Sequence, residues 1–142
     1  VLSASVDAEV NGATIRSGQI DKGLLVFIGI THADTDALAK KMAEKIWHLR
    51  IMEDEAGVMN LSVADTTQSI LVVSQFTLYG ETNSGRRPTW TAAAKPEYAE
   101  PLVNQVVKEL QALGASVQTG VFRTYMQVSL VNDGPTTVNI EL

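Results

Sequence analysis

With 142 residues, 45 % of them apolar and 19 % charged, the chain has the makeup of one globular domain that buries roughly two thirds of its unfolded surface, not of a disordered tail. The absence of cysteine excludes disulfide staples, a thiolate zinc site and a cysteine nucleophile, and no apolar run approaches the ~18 residues of a membrane span. Eleven basic residues against 16 acidic ones leave a net charge of −5, which excludes binding nucleic acid through the whole surface; contact with RNA would need a local basic patch.

In chain order, Ala4 to Arg16 is rich in β-branched residues and broken by Asn11-Gly12. That dipeptide between alternating segments predicts a hairpin, because both turn residues need positive φ. Leu24 to Ile30 is a continuous apolar run of strand length, suited to a strand covered on both faces. A helix is predicted over about Thr35 to Arg50, where Leu38, Met42, Ile46 and Leu49 form one stripe. Asp34, Thr35 and Asp36 supply its cap and first-turn acids, and Lys45, His48 and Arg50 suit its C-terminal end. Asp54 to Gly57 reads as a turn. Ile70 to Tyr79 is the second strong strand; its parity puts Gln75 and Thr77 on one face and Ser74, Phe76 and Leu78 on the other. Gly80 to Pro88 is a loop with two adjacent arginines. A second helix is predicted over about Ala99 to Leu113, with Pro96 to Tyr98 as its lead-in, because Pro101 is tolerable only in a first turn. Gly114 is placed to end it. Strands over Ser116 to Val121 and Met126 to Val131, a turn at Asn132 to Pro135 and a last strand to Ile140 complete the chain. Strands and helices are mixed without strict alternation, so the expected fold is mixed α/β, a mixed sheet carrying two helices, in one domain over residues 1–142.

Few catalytic sets are open to this composition. Only His32 and His48 could serve a Ser-His-Asp arrangement, and His48 lies on a helix face among lysines. Nothing has metal-ligand spacing, and no glycine-rich phosphate loop is present. The basic groups Lys40, Lys41, Lys45 and Arg50, and the pair Arg86-Arg87, read either as solvated faces or as RNA contacts. Two segments stand out. Ser74-Gln75-Phe76-Thr77-Leu78 brings polar side chains to the end of a hydrophobic strand: either an emerging solvent face or the lining of a pocket. Asn132-Asp133-Gly134-Pro135 is either a plain turn or a specific feature, since X-Pro bonds are where a cis peptide is cheap. No signal-peptide pattern opens the chain, and a cytoplasmic setting is expected.

Together these two segments resemble signatures of the D-aminoacyl-tRNA deacylases of the bacterial and eukaryotic type. Lys22 to Val26, Gly57 to Val63, Gly85 to Pro88 and Met126 to Val131 follow the same family in the same order. The resemblance implies a largely antiparallel sheet or partial barrel with two helices, a homodimer with its active site at the subunit interface, and no metal, cofactor or membrane. It implies hydrolysis of the ester joining a D-amino acid, or glycine, to the terminal ribose of tRNA. Ser74, Gln75, Phe76 and Thr77 would line the pocket, with backbone amides around Phe76 and Thr77 holding the ester oxygen and the terminal 2′-hydroxyl aiding the attacking water. Gly134 and Pro135, joined by a cis bond, would enter the partner's pocket and exclude L side chains. Met126, Asn132 and Thr136 would support them, and Arg86, Arg87, Lys40 and Lys41 are candidates for tRNA contact. The chain departs from the family in two ways: an opening strand with a Gln-Arg pair is expected before the position of Val1, and the hairpin from Val6 to Gly18 is longer than usual.

Overall fold

The computed structural model describes residues 1–142. Asn11 and Gly12 adopt φ of 52° and 80°, and the turn they make closes β1 (Ser3–Val10) onto β2 (Ala13–Ile20). A bulge between Val6 and Asp7 shifts the register of this pair. On its other side β1 pairs antiparallel with β8 (Met126–Val131), giving a sheet ordered β2-β1-β8.

The second sheet is parallel. β3 (Gly23–Ile28) pairs with β6 (Ser69–Ser74), which pairs with β7 (Val117–Thr119). Parallel neighbours need long crossovers, and helices supply them. α1 (Asp36–His48) lies between β3 and β6, and α3 (Pro96–Ala112) between β6 and β7. The short pair β4 (Met52–Glu53) and β5 (Met59–Leu61) surrounds the predicted turn. The four-residue α2 (Val63–Thr66), which no periodicity announces, follows it.

β6 explains the layering. Ile70, Leu71, Val72 and Val73 are all at most 2 % exposed, so the strand is buried on both faces. Ile70 and Val72 join Ala43, Ile46, Leu102, Val106 and Leu110 in the helix-side core. Leu71 and Val73 point the other way, into a cluster with Ala4, Val6 and Ile20 of the antiparallel sheet. The parallel sheet is thus a middle layer, with helices on one face and the β2-β1-β8 sheet on the other. Each buried Val, Leu or Ile side chain among them contributes about 1.5–3 kcal/mol by leaving water. β2 and β7 approach closely at Gly18, where a Cβ would lie 2.8 Å from the Thr119 carbonyl.

The helices keep their predicted faces but not all their limits. Thr35 caps α1 by accepting from the Leu38 amide at 3.3 Å. α3 starts at Pro96, earlier than predicted, because a proline at the first helical position loses no hydrogen bond. Pro101 therefore falls in the second turn, on the exposed face, where the Glu97 carbonyl forgoes its helical donor on the solvent side. The helix ends in a Schellman motif: Gly114 has φ 100°, its amide bonds the Gln111 carbonyl, and the Ala115 amide bonds that of Leu110, both at 3.0 Å.

Three strand expectations are corrected. Ile70 to Tyr79 is extended only to Ser74, because β3 ends at Ile28 and offers no ladder beyond it. Ser116 to Val121 is a strand only over Val117–Thr119. The strand to Ile140 is not formed: residues after Val131 have no pairing partner within the protomer, and most of them are exposed. No helix is long and apolar enough to cross a membrane.

Candidate active site

The end of β6 builds the site. Its last ladder bond runs from the Gln75 amide to the Ile28 carbonyl at 2.7 Å. The chain then winds into a 3-10 turn, Phe76–Tyr79. Leu78 N bonds Gln75 O at 3.3 Å and Gly80 N bonds Thr77 O at 3.0 Å. Strand parity therefore does not sort Gln75 to Leu78 onto two faces. The amides of Phe76 and Thr77 head the turn, where helical geometry provides no acceptor, and no other backbone carbonyl takes them. Gln75 Nε2 donates instead to Thr77 Oγ1. Phe76 and Thr77 are exposed, while Ser74 and Gln75 are half-buried.

Two neighbours fix this turn. Gly29 lies behind it: a Cβ there would stand 3.1 Å from the Gln75 carbonyl and 3.2 Å from the Tyr79 ring, closer than side chains normally pack, so a side chain here would press on the turn. Trp90 lies beside it and meets Phe76 edge to face, with ring centroids 5.9 Å apart at 64°. Burial first, then the nearby carboxylates of Asp34 and Glu141, pushes the Tyr79 phenol above its ordinary range. Residues 81–89 form an arm closed by reciprocal Glu81–Thr89 amide bonds of 2.8 and 3.1 Å. Gly85 turns it at φ 82°, and Arg86 and Arg87 are exposed near this turn.

The second predicted segment follows β8. Met126 packs on the small core cluster, with its sulfur where a Cβ at Gly120 would come within 2.7 Å. Asn132 Nδ2 donates to Thr137 Oγ1 at 3.2 Å, and the Thr136 amide bonds the Asp133 carbonyl at 3.1 Å. Gly134 has φ 107° and packs against Thr136, whose hydroxyl would be 2.9 Å from a Cβ. The Gly134–Pro135 bond is trans, contrary to the cis bond implied by the resemblance. Trans is the ground state of X-Pro unless surrounding contacts override it, and within the protomer this segment is exposed and lightly bonded. No hydrogen bond joins it to Phe76–Tyr79 in the same chain.

The other candidates lie apart. Lys40, Lys41, Lys45 and His48 are exposed on α1. Arg50 is engaged, donating from Nε to the Asn60 carbonyl at 2.6 Å and from Nη2 to its side chain. His32 Nε2 lies 2.9 Å from the Thr91 carbonyl, and His32 has no hydrogen bond to the turn. Chemically, then, the site offers free amides, an amide–hydroxyl pair and an aromatic edge. It has no acid–base side chain hydrogen-bonded to Thr77. Such a site can polarise a carbonyl and stabilise an oxyanion.

The family model described as D-Tyr-tRNA(Tyr) deacylase matches residues 1–141. The chain belongs to that family of ester hydrolases. The D-aminoacyl-tRNA deacylase of Halalkalibacterium halodurans is 54 % identical over 99 % of this chain and 97 % of its own length. That of Thermobifida fusca is also 54 % identical, over 99 % and 92 %. Among solved structures, one described as c-Myc DNA Unwinding Element Binding Protein superposes with a TM-score of 0.88 at 36 % identity, covering 100 % of this chain and 94 % of that one. Another, described as a probable eukaryotic D-amino acid tRNA deacylase, shares the fold with a TM-score of 0.69 at 14 % identity over 89 % and 92 %. In this deacylase-family chain, sequence reasoning missed Gly29, Tyr79 and Trp90. Gly29 carried a usable signal, a glycine inside an apolar run. The other two carried none.

Proposed function

We propose that the protein hydrolyses the ester of D-aminoacyl-tRNA, and of glycyl-tRNA, with the amides of Phe76 and Thr77 as oxyanion donors. The observation that carries this reading is the pair of unpaired amides at the head of the turn, with no acid–base side chain hydrogen-bonded to Thr77. Water adds to the ester carbonyl, and the oxygen that gains charge is held by the two amides. Collapse breaks the bond to the ribose oxygen, which takes up the proton, releasing free tRNA and the amino acid. Removing one such donor typically costs ~10²–10³ in rate. With no base at Thr77, the terminal 2′-hydroxyl is read as the group that orients the water.

The protein is further read as a cytoplasmic homodimer in which Gly134–Pro135 enters the partner's pocket. The segment's exposure and its lack of bonds to its own turn support this. There its carbonyls would hold the substrate's amino group, and an L side chain would meet backbone. Asn132, Thr136 and Met126 are read as supports of this filter, and Arg86, Arg87, Lys40 and Lys41 as the tRNA contacts.

A second reading is a related deacylase of the same fold that edits L-aminoacyl-tRNA; the resemblance extends to such relatives, which carry the Gly-Pro bond in trans, the state of Gly134–Pro135 in the isolated protomer. A third, a nucleic-acid-binding module without catalysis, has in its favour the description of the 36 % identical neighbour as a DNA-element-binding protein. The net charge of −5 weighs against it. Deacylation of D-tyrosyl-tRNA and L-tyrosyl-tRNA, measured side by side, separates the three. Loss of the D ester with the L ester spared is expected. Cleavage of the L ester alone would favour the second reading, and cleavage of neither the third.

A further inference from the structure

The last residues of the chain return to the back of the turn that carries the oxyanion donors. Ile140, Glu141 and Leu142 line a cleft of about 70 Å³ together with Tyr79, Gly29 and Leu38, between the end of β3 and the two long helices. Tyr79 is the last residue of the 3-10 turn, and Gly29 is the residue on which that turn rests. Glu141 is near enough to help raise the Tyr79 phenol, which reports the same approach. Residues 137–142 take part in no backbone hydrogen bond; the Asn132 Nδ2 bond to Thr137 Oγ1 holds their start, and Ile140 to Leu142 are placed by side chains alone. Such a segment contributes order where it docks and opens at little cost.

We propose that Ile140–Leu142 is a positioning segment for hydrolysis, which by packing on Tyr79 holds the amides of Phe76 and Thr77 where the ester oxygen meets them. The inference rests on the oxyanion reading of that turn. It gives the tail a place in the reaction although it touches no reacting atom. Only Thr137 to Asn139 separate it from Asn132–Thr136. One stretch of chain therefore links the two motifs that the fold leaves without a mutual hydrogen bond.

The test compares the wild-type chain with Leu142→Ser and with Ile140→Ser/Leu142→Ser; Ile140→Val/Leu142→Met serves as the conservative control. Three quantities are read: kcat and KM for D-tyrosyl-tRNA, the amide NMR shifts of Phe76 and Thr77, and the Tyr79 phenol titration as a gauge of tail docking. In the serine variants kcat is expected to fall about tenfold, since small misplacement of catalytic groups is costly. KM should stay within about twofold, because the polar groups that bind substrate are untouched. The two amide shifts should move, the Tyr79 titration should drop toward an ordinary tyrosine, and the conservative variant should behave as wild type. If Tyr79 reports an undocked tail while kcat and the amide shifts hold, the proposal is overturned. Leu142→Ser alone removes a side chain that is already 37 % exposed and keeps the test readable should the double variant not fold. A wild-type chain inactive on the D ester would instead overturn the functional reading, and the amide shifts would still decide whether the tail sets the turn.

Discussion

Thr77 carries a hydroxyl at the centre of the candidate site, yet that hydroxyl accepts from Gln75 and has no histidine or carboxylate bonded to it. A threonine without a base is a weak nucleophile, whereas its backbone amide stands free at the head of the turn. Thr77→Val is therefore expected to lower kcat for D-aminoacyl-tRNA by no more than about tenfold, because the amide survives the change. A nucleophile's loss would be about a thousandfold or more in the same steady-state assay. The chemical character of Ser74 to Leu78 was legible in the sequence as polar residues at the end of an apolar strand. The direction of each group was not, because a 3-10 turn and a strand distribute the same side chains differently. Trp90 was illegible for another reason: an aromatic in a polar loop announces nothing until its partner, Phe76, is placed 5.9 Å away.

Among the elements, those with a clear hydrophobic pattern were legible: α1 and α3 by a helical stripe, β3 and β6 as continuous apolar runs of strand length. The short α2 was not, since four residues hold no period. A capping box makes it instead: Ser62 donates from Oγ and N to Asp65 Oδ2 at 2.6 and 2.8 Å, and the Asp65 amide returns to Ser62 Oγ. Those bonds from Ser62, chiefly its side chain, hold the Asp65 carboxyl below its ordinary 3.8. A depressed folded-state pKa contributes stability above the unfolded value, and that stability is lost as pH falls through the folded one. Thermal unfolding of wild type should therefore exceed that of Asp65→Asn at pH 7. The gap should begin to close below about pH 4 and be gone in stronger acid. A constant gap down the whole series would show that the charge on Asp65 does not act through the cap. The strand predicted up to Ile140 failed for the opposite reason. Its residues suit a strand, but a strand needs a neighbour, and none lies beside it within the protomer.

For the molecule as a whole, a net charge of −5 makes tRNA contact a local matter. The arm at 81–89 carries Arg86 and Arg87 in solvent, next to the Trp90 that flanks the turn proposed as catalytic. In Arg86→Ala/Arg87→Ala, KM for the charged tRNA is expected to rise several-fold at low salt with kcat kept. The slope of log(kcat/KM) against log salt should become shallower by about one, the scale of one or two lost contacts to single-stranded phosphates. An unchanged slope would remove the arm from the interface and leave Lys40 and Lys41 of α1 as the candidates.

By itself the sequence determined the mixed fold class, the principal elements, the family and the two motifs, because hydrophobic period and motif order are written along the chain. Only the tertiary structure decided that β6 is the doubly buried middle strand and that the polar motif ends in a turn with free amides. It alone seated the C-terminal residues behind that turn and left Gly134–Pro135 trans. These depend on which segments become neighbours: ladder bonds stop where a partner strand stops, and a peptide isomer or a tail takes the state its surroundings make lowest in free energy.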